Sequence, residues 1–181
     1  MESQIIVIIV LLLINLILNI FLANSSKEKY APYRFSSNIP TNGAVKIPSS
    51  QYTALNTTGG WYFDTRIKPS SLGYFNIQFN NYTVLLRTKP SNPLDVSIFT
   101  GPYNMPNTIL ITSTKPDIFL TTTNSIDLRI KYINGTLSVY LLNSNTNEVL
   151  LTSAFINDIS LNSLPSIVLA CTNNASGTFN W

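Results

Sequence analysis

Histidine is absent from this 181-residue chain, and cysteine occurs only once. Without histidine, the chain cannot form a Ser-His-Asp triad, a Cys-His pair, a histidine metal site or a histidine pH switch. A single cysteine excludes a disulfide within the chain. The apolar neighbours Leu169 and Ala170 favour a buried, structural Cys171. These absences remove the commonest routes to nucleophilic and metal-assisted catalysis.

Charged residues are scarce as well, with 11 Lys and Arg against 8 Asp and Glu and a net charge of +3. Glycosidases need two close carboxyl groups, but the Asp residues beyond residue 58 stand singly and Glu148 is the only Glu there. The basic residues form no stripe able to neutralise several phosphates, and Arg129 and Lys131 read as a solvated lining. We therefore expect no enzymatic activity, no cofactor, no metal site and no nucleic-acid partner.

An apolar run over residues 5–23 contains no charge and only two polar residues, Asn15 and Asn19. As a helix it would span roughly 28 Å, close to the hydrocarbon thickness of a bilayer. We predict a transmembrane anchor. Apolar residues spaced along the whole anchor include Ile5, Ile9, Leu13, Leu16 and Ile20.

A cleaved signal peptide is the alternative, with residues 23–25 as a cleavage site. The core is longer than in most signal peptides and no basic residue precedes it, so an uncleaved anchor is favoured. The basic residues Lys27, Lys29 and Arg34 follow the run, and the positive-inside rule places the body on the cytoplasmic or nucleoplasmic side. Five N-x-Ser/Thr sequons would suit a lumenal body. We give them no weight, because 22 Asn residues in a Ser- and Thr-rich chain produce about five by chance.

Beyond residue 58 the hydrophobic pattern changes to period two, which is typical of half-buried strands. We divide the chain into a short N-terminus (1–4), the anchor (5–23), a Pro-, Ser- and Asn-bearing tether (24–58) and an antiparallel β-sandwich (59–181). Further strands are predicted over 149–153, 166–171 and 178–181. The inward positions of the earlier strands are Trp61, Phe63, Thr65 and Ile67, Phe75, Ile77 and Phe79, Val84 and Leu86, and Leu94, Val96 and Ile98.

The clearest local pattern surrounds Asn134-Gly135, the preferred dipeptide of a type I′ hairpin turn. Folding the chain there places three apolar pairs on one face, and a slip of one residue would destroy that agreement. The predicted pairs are Tyr132 with Leu137, Ile130 with Val139, and Leu128 with Leu141.

Three segments carry a resemblance to a known fold: "GWYFDTRIKP", "SIDLRIKYINGTLSVYL" and "LPSIVLACTNNASGTFNW". Their order over 59–181 resembles the concanavalin A-like jelly roll of legume lectins, laminin G modules and the lectin-like domain named after farnesoic acid O-methyltransferase. The resemblance implies a β-sandwich with a sugar- or protein-binding role. Legume lectins hold metals with a run of acids, an Asn and a His. This chain lacks that set, so metal-dependent sugar binding is not expected.

The loop from Thr100 to Asn107 is the candidate binding loop, because two prolines stiffen it between strands. Aromatic residues and Met are favoured at interfaces, and amides can hydrogen-bond a sugar. The alternative is a rigid connection whose Tyr packs back on the sheet. The candidate residues are Tyr103, Asn104, Met105 and Asn107.

Two functions remain open at this level. The layout of one N-terminal span, basic residues and one compact domain resembles occlusion-derived-virus envelope proteins of baculovirus-like insect viruses. That reading implies a non-catalytic structural protein in the virion envelope and host nuclear or endoplasmic reticulum membrane, with lipid and other envelope or capsid proteins as partners. The alternative is a tethered, metal-independent lectin-like module that binds a glycan or a receptor.

Overall fold

The computed structural model describes residues 33–51, 60–143, 147–163 and 165–181. The predicted anchor at 5–23 and the charges Lys27 and Lys29 lie outside these ranges. Within them, no helix has both the length and the apolar character needed to cross a membrane.

The described residues form two antiparallel sheets, each of six strands. Sheet A has the order β1-β12-β3-β8-β9-β10, and sheet B has the order β2-β11-β4-β5-β6-β7. This architecture confirms the predicted all-β antiparallel sandwich. The strands are β1 (Ser36–Ile39), β2 (Ala44–Ile47), β3 (Gly60–Ser71), β4 (Tyr74–Phe79), β5 (Tyr82–Arg87), β6 (Leu94–Thr100), β7 (Thr108–Lys115), β8 (Ile126–Ile133), β9 (Thr136–Leu142), β10 (Glu148–Phe155), β11 (Ile167–Thr172) and β12 (Ser176–Asn180).

The core lies between the two sheets and is built from the predicted inward positions. In β3 every second residue from Trp61 to Ile67 is buried, which is the period expected when one face of a strand packs on a core. The Trp61 ring lies 5.0 Å from the Phe79 ring of sheet B, centroid to centroid. Its indole Nε1 donates to the carbonyl of Leu161 at 2.7 Å, so the one polar atom of this buried ring is paired.

The β8–β9 hairpin has the predicted register. Leu128 pairs with Leu141, and the two pairs nearer the turn also match the prediction. Asn134 and Gly135 have φ angles of 48° and 77°, as a type I′ turn requires at both central residues.

The predicted tether was wrong over part of its length. β1 pairs with β12 at the edge of sheet A, and β2 pairs with β11 at the edge of sheet B. Ile39 and Ile47 are buried in the core between the sheets. These strands have four residues each and are followed by Pro40 and Pro48, so their alternation was too short to separate from a Pro-rich linker. The Thr-rich strand β7 was also not predicted.

Several connections meet at one end of the sandwich, which we call the turn end. It contains the β4–β5 turn at Asn80, the β8–β9 turn at Asn134, the β6–β7 loop from Gly101 to Asn107, and a short 3-10 helix, Ile159–Leu161. Asn80 Nδ2 donates to the Ser160 carbonyl at 3.0 Å, which ties the sheet B turn to this helix. The β3–β4, β5–β6, β7–β8 and β11–β12 connections lie at the opposite end.

The Gly135→Ala variant tests the hairpin geometry. A Cβ at this position would be held at positive φ and would lie 3.1 Å from Phe155 Cε2. We expect a loss of about 1 kcal/mol in the free energy of unfolding, measured by urea denaturation of the detergent-solubilised chain. Gly135→Asn is the control, since Asn tolerates this conformation better than Ala. Equal stabilities for wild type and Gly135→Ala would contradict the assigned turn.

Candidate functional site

The outer faces of the two sheets differ in charge. On sheet A, Arg129 lies at the centre of a network of ion pairs. Its guanidinium donates to both carboxylate oxygens of Asp64, at 2.7 and 2.6 Å, and to Glu148 at 2.9 Å. Lys131 donates to the second oxygen of Glu148. The prediction that Arg129 and Lys131 form only a solvated surface was therefore wrong. The pairing of β3, β8 and β10 brings these basic residues next to acids that are far apart in sequence.

A second pair extends the network along the same face. Arg66 donates to both oxygens of Asp127, at 2.8 and 3.0 Å, and the Tyr33 hydroxyl donates to Asp127 at 2.8 Å. The Arg66 guanidinium also lies 5.3 Å from the centroid of the Tyr33 ring. Burial, and then the hydrogen bond to Asp127, raises the pKa of Tyr33. The acids and bases of this face are occupied with one another, which leaves few charges free for a ligand.

Glu148 makes the network sensitive to acid. Burial opposes its ionisation, but the hydrogen bonds from Lys131 and Arg129 outweigh burial and lower the pKa of the carboxyl below 4.5. A carboxyl with a lower pKa in the folded chain stabilises the fold above its unfolded pKa, and that contribution is lost as pH falls through the folded pKa.

Glu148→Gln should therefore cost about 1 kcal/mol of unfolding free energy at pH 7 and less at pH 3, because the wild-type carboxyl becomes increasingly protonated as the pH falls. Urea denaturation at both pH values, followed by tryptophan fluorescence, measures the difference. Asp117→Asn, at an exposed residue of the opposite end, is the control and should cost little stability. An equal cost for Glu148→Gln at both pH values would contradict the role of the carboxylate charge.

The outer face of sheet B carries few charges; on its central strands Arg87 of β5 lies opposite Asp95 of β6. The other outward positions of β4, β5, β6 and β7 carry mainly carboxamides and hydroxyls, together with Leu85 and Phe99, and several of them are buried although they face away from the core. Asn76 Nδ2 donates to Thr172 Oγ1 at 3.1 Å, and the hydroxyls of Ser97 and Thr112 lie 2.9 Å apart. We call this surface the amide face; it comprises Asn76, Gln78, Thr83, Ser97 and Thr112.

The loop Gly101–Asn107 is fastened to the amide face by two hydrogen bonds. Thr83 Oγ1 donates to the Gly101 carbonyl at 3.0 Å, and the Tyr103 amide donates to Gln78 Oε1 at 3.2 Å. Gly101 has a φ of 105°, and a Cβ there would lie 2.7 Å from the Met105 carbonyl oxygen. Only glycine fits such a position without strain.

All four candidate residues of this loop are described. Tyr103 is half-buried beside the amide face, whereas Asn104, Met105 and Asn107 are exposed. The arrangement brings one aromatic ring and several amides to the border of one uncharged surface. Arg34, the third predicted orientation charge, is exposed, and its backbone amide donates to Trp181.

Sequence reasoning missed the amide face itself. Asn76 and Gln78 alternate with the predicted inward positions Phe75, Ile77 and Phe79, so the sequence marks them only as outward, polar residues. The available signal was that amides and hydroxyls stand at outward positions where a solvated sheet usually has Lys or Glu.

The described side chains offer no metal site. No group of three or more Cys, Asp or Glu residues in the described ranges is placed to hold a metal ion. Cys171 is buried, and burial raises the pKa of its thiol to about 12.

No protein-family model matches this chain, and no curated protein matches it. Three similar solved structures have 12–14% sequence identity to it. They are the exoplasmic/lumenal domain of VIP36 in a Ca²⁺/Man-bound form (12% identity, TM-score 0.45, 80% of this chain and 81% of that one), a functionally unknown protein from Saccharomyces cerevisiae (14%, 0.47, 80% and 83%), and the CBM2 module of the evolved Dit of Lactobacillus casei BL23 phage J-1 (12%, 0.40, 81% and 67%). These TM-scores are below 0.5, so the architecture rests on the strand pairing of this chain itself.

Proposed function

We propose that this protein is a non-catalytic, lectin-like module that binds a glycan through the amide face and the loop Gly101–Asn107, without a metal ion. The observation that carries the proposal is the contrast between the two outer faces. Sheet A presents charges that are paired with one another, whereas the outer face of sheet B carries mostly neutral amides and hydroxyls beside two charged residues, Arg87 and Asp95. Carboxamides both donate and accept hydrogen bonds, which matches the mixed donor and acceptor character of sugar hydroxyls.

The aromatic side chains of this side support the same ligand class. Tyr103 borders the amide face at the turn end, and Tyr74 lies on the same outer face near the opposite end. The Arg87 guanidinium lies 5.3 Å from the Tyr74 ring centroid. An apolar ring with a polar hydroxyl can contact the carbon-hydrogen face of a sugar while its tip stays hydrated.

The proposal includes a concanavalin A-like jelly-roll topology for the sandwich. It also includes a protein receptor as the alternative ligand to a glycan. The envelope-protein hypothesis stays a prediction. The segment that motivates its membrane and capsid partners lies outside the described residues, and no described contact favours it over glycan binding.

A glycan array probed with the detergent-solubilised full chain tests the proposal. We expect saturable binding to at least one glycan class, unchanged by EDTA. Tyr103→Ala should weaken that binding about tenfold, because the variant loses the contact between the tyrosine ring and the glycan and also loses the ring that helps to order the loop. Tyr140→Ala is the matched control, because this half-buried tyrosine lies on the outer face of sheet A beside Lys131.

Three results would contradict glycan binding by this face. They are the absence of any binding on the array, loss of binding in EDTA, and equal effects of the Tyr103 and Tyr140 variants. Thermal unfolding of each variant establishes that a loss of binding reflects the site and not the fold.

A further inference from the structure

Two residues of opposite charge face each other on the outer face of sheet B without bonding. Arg87 of β5 lies directly opposite Asp95 of β6 in the register of these strands. Residues in such positions have Cβ atoms about 5 Å apart, which is within easy reach of a long side chain. The two side chains nevertheless form no ion pair and no hydrogen bond with each other.

The opposed acid–base pairs of sheet A behave differently. In the described strands of that sheet, Asp64 lies opposite Arg129 and Arg66 lies opposite Asp127. Both pairs form two parallel hydrogen bonds, with nitrogen–oxygen distances from 2.6 to 3.0 Å. The unpaired state of Arg87 is therefore an exception within this fold, and it has a local cause.

The cause is that the two side chains turn toward different neighbouring strands. This part of sheet B has the order β4-β5-β6-β7. The Arg87 guanidinium lies over the Tyr74 ring of β4, 5.3 Å from its centroid. Asp95 Oδ1 instead accepts from Thr114 Oγ1 of β7 at 2.6 Å. The cation and the carboxylate are thus held apart, and neither neutralises the other.

The guanidinium of Arg87 lacks an acceptor among the described residues. Its Nε is buried and has no hydrogen-bond partner, and no described residue accepts from its two terminal nitrogens. A donor left in this state costs free energy, so it marks a place where a partner is missing. A guanidinium that lies over an aromatic ring keeps its N–H groups at its edge, where an anion can bind them.

The two charged groups together select a ligand that has both an anionic group and hydroxyls. A neutral sugar would leave Arg87 without an acceptor. A small free anion would pair with Arg87, but the Asp95 carboxylate beside it would repel that anion. An acidic sugar satisfies both residues, because its anionic group accepts from Arg87 and a hydroxyl of its ring donates to Asp95.

Arg87 and the candidate loop lie at opposite ends of the amide face. Thr83, whose hydroxyl bonds the loop at Gly101, is four residues from Arg87 along β5. Four residues of a strand span about 13 Å. A single sugar ring is shorter than this distance, so a ligand that contacts both Tyr103 and Arg87 is an oligosaccharide.

We propose that the ligand of the amide face is an acidic oligosaccharide, and that a carboxylate on one of its sugars accepts from the terminal nitrogens of Arg87. This inference rests on the proposed glycan binding and specifies the class of glycan. A carboxylate is planar and has two acceptor oxygens, which match two N–H groups at the edge of a guanidinium. The neutral amides and hydroxyls bind the remaining sugars.

Glycans with and without the carboxyl group test this assignment. The detergent-solubilised full chain is applied to an array of sialylated and uronate-containing oligosaccharides, the carboxyl-reduced form of each, and sulfated oligosaccharides. We expect saturable binding to at least one carboxylated glycan and about tenfold weaker binding to its reduced form, because the charge-assisted hydrogen bonds are lost. Added salt should weaken the binding of the carboxylated glycan more than that of the reduced form.

Variants of Arg87 locate the effect. Arg87→Gln should abolish the preference for the carboxylated glycan and leave the affinity for the reduced form within about twofold of wild type. Arg87→Lys keeps the charge but loses the planar fork, so it should retain only part of the preference. Lys89→Gln is the matched control, because Lys89 is exposed and lies only two residues away along the chain. It should retain the full preference.

A preference for neutral or sulfated glycans would overturn the acidic ligand and leave the proposed glycan binding intact. Equal effects of Arg87→Gln and Lys89→Gln would also overturn it. So would a loss of affinity for both forms of the glycan in Arg87→Gln, since that result indicates a structural role.

Thermal unfolding of each variant checks the fold. Where Arg87→Gln does not fold, Arg87→Lys decides, and a full wild-type preference in that variant would contradict the contact with the guanidinium fork. The absence of binding to every glycan would contradict the proposed function itself, and the acidic ligand would fall with it.

Discussion

The packing of Trp61 between the two sheets fixes the turn end, and the candidate surfaces depend on that packing. Its ring contacts Phe79 of sheet B and lies 6.0 Å from the Tyr132 ring of sheet A. Its Nε1 and the Tyr132 hydroxyl then hold the segment after β10 by bonding the carbonyls of Leu161 and Ile156. Without the packing of Trp61, the segment that contains the 3-10 helix would lose these two hydrogen bonds to the core.

The scarcity of charge explains why the two outer faces have separate roles. The chain has few acids and bases, and the register of β3, β8 and β10 uses many of them for the network around Arg129. Those side chains are only 19–25% exposed, so the pairing is stronger than in open surface ion pairs. Little charge is left for sheet B, whose outer face carries Arg87 and Asp95 but is otherwise built mainly from amides and hydroxyls. A mostly neutral face that bonds through directional groups favours a hydroxyl-rich ligand.

Long periodic strands were predictable from the sequence. The β8–β9 register was predictable to the residue, because the Asn-Gly turn and the alternation of apolar residues indicate the same strand pairing. The edge strands β1 and β2 were not, since four residues carry too little periodicity and the adjacent prolines suggested a linker. The ion-pair network was also beyond sequence reasoning: Asp64 and Arg129 are partners only through pairing of distant strands. The candidate loop was found from its residue types, but its attachment through Gln78 and Thr83 depends on the curvature and packing of sheet B.

The proposed glycan binding bears on the predicted orientation of the body across a membrane. Glycans are displayed mainly on lumenal and extracellular surfaces, whereas the positive-inside rule, applied to Lys27, Lys29 and Arg34, favours the opposite side. The structure changes the weight of that charge pattern. Arg34 belongs to the folded body, where its amide bonds the Trp181 carbonyl beside β1. Folded domains translocate largely regardless of their charge. Lys27 and Lys29 then remain as the charges that flank the predicted anchor. Two lysines oppose only weakly the placement of the body on the glycan-bearing side.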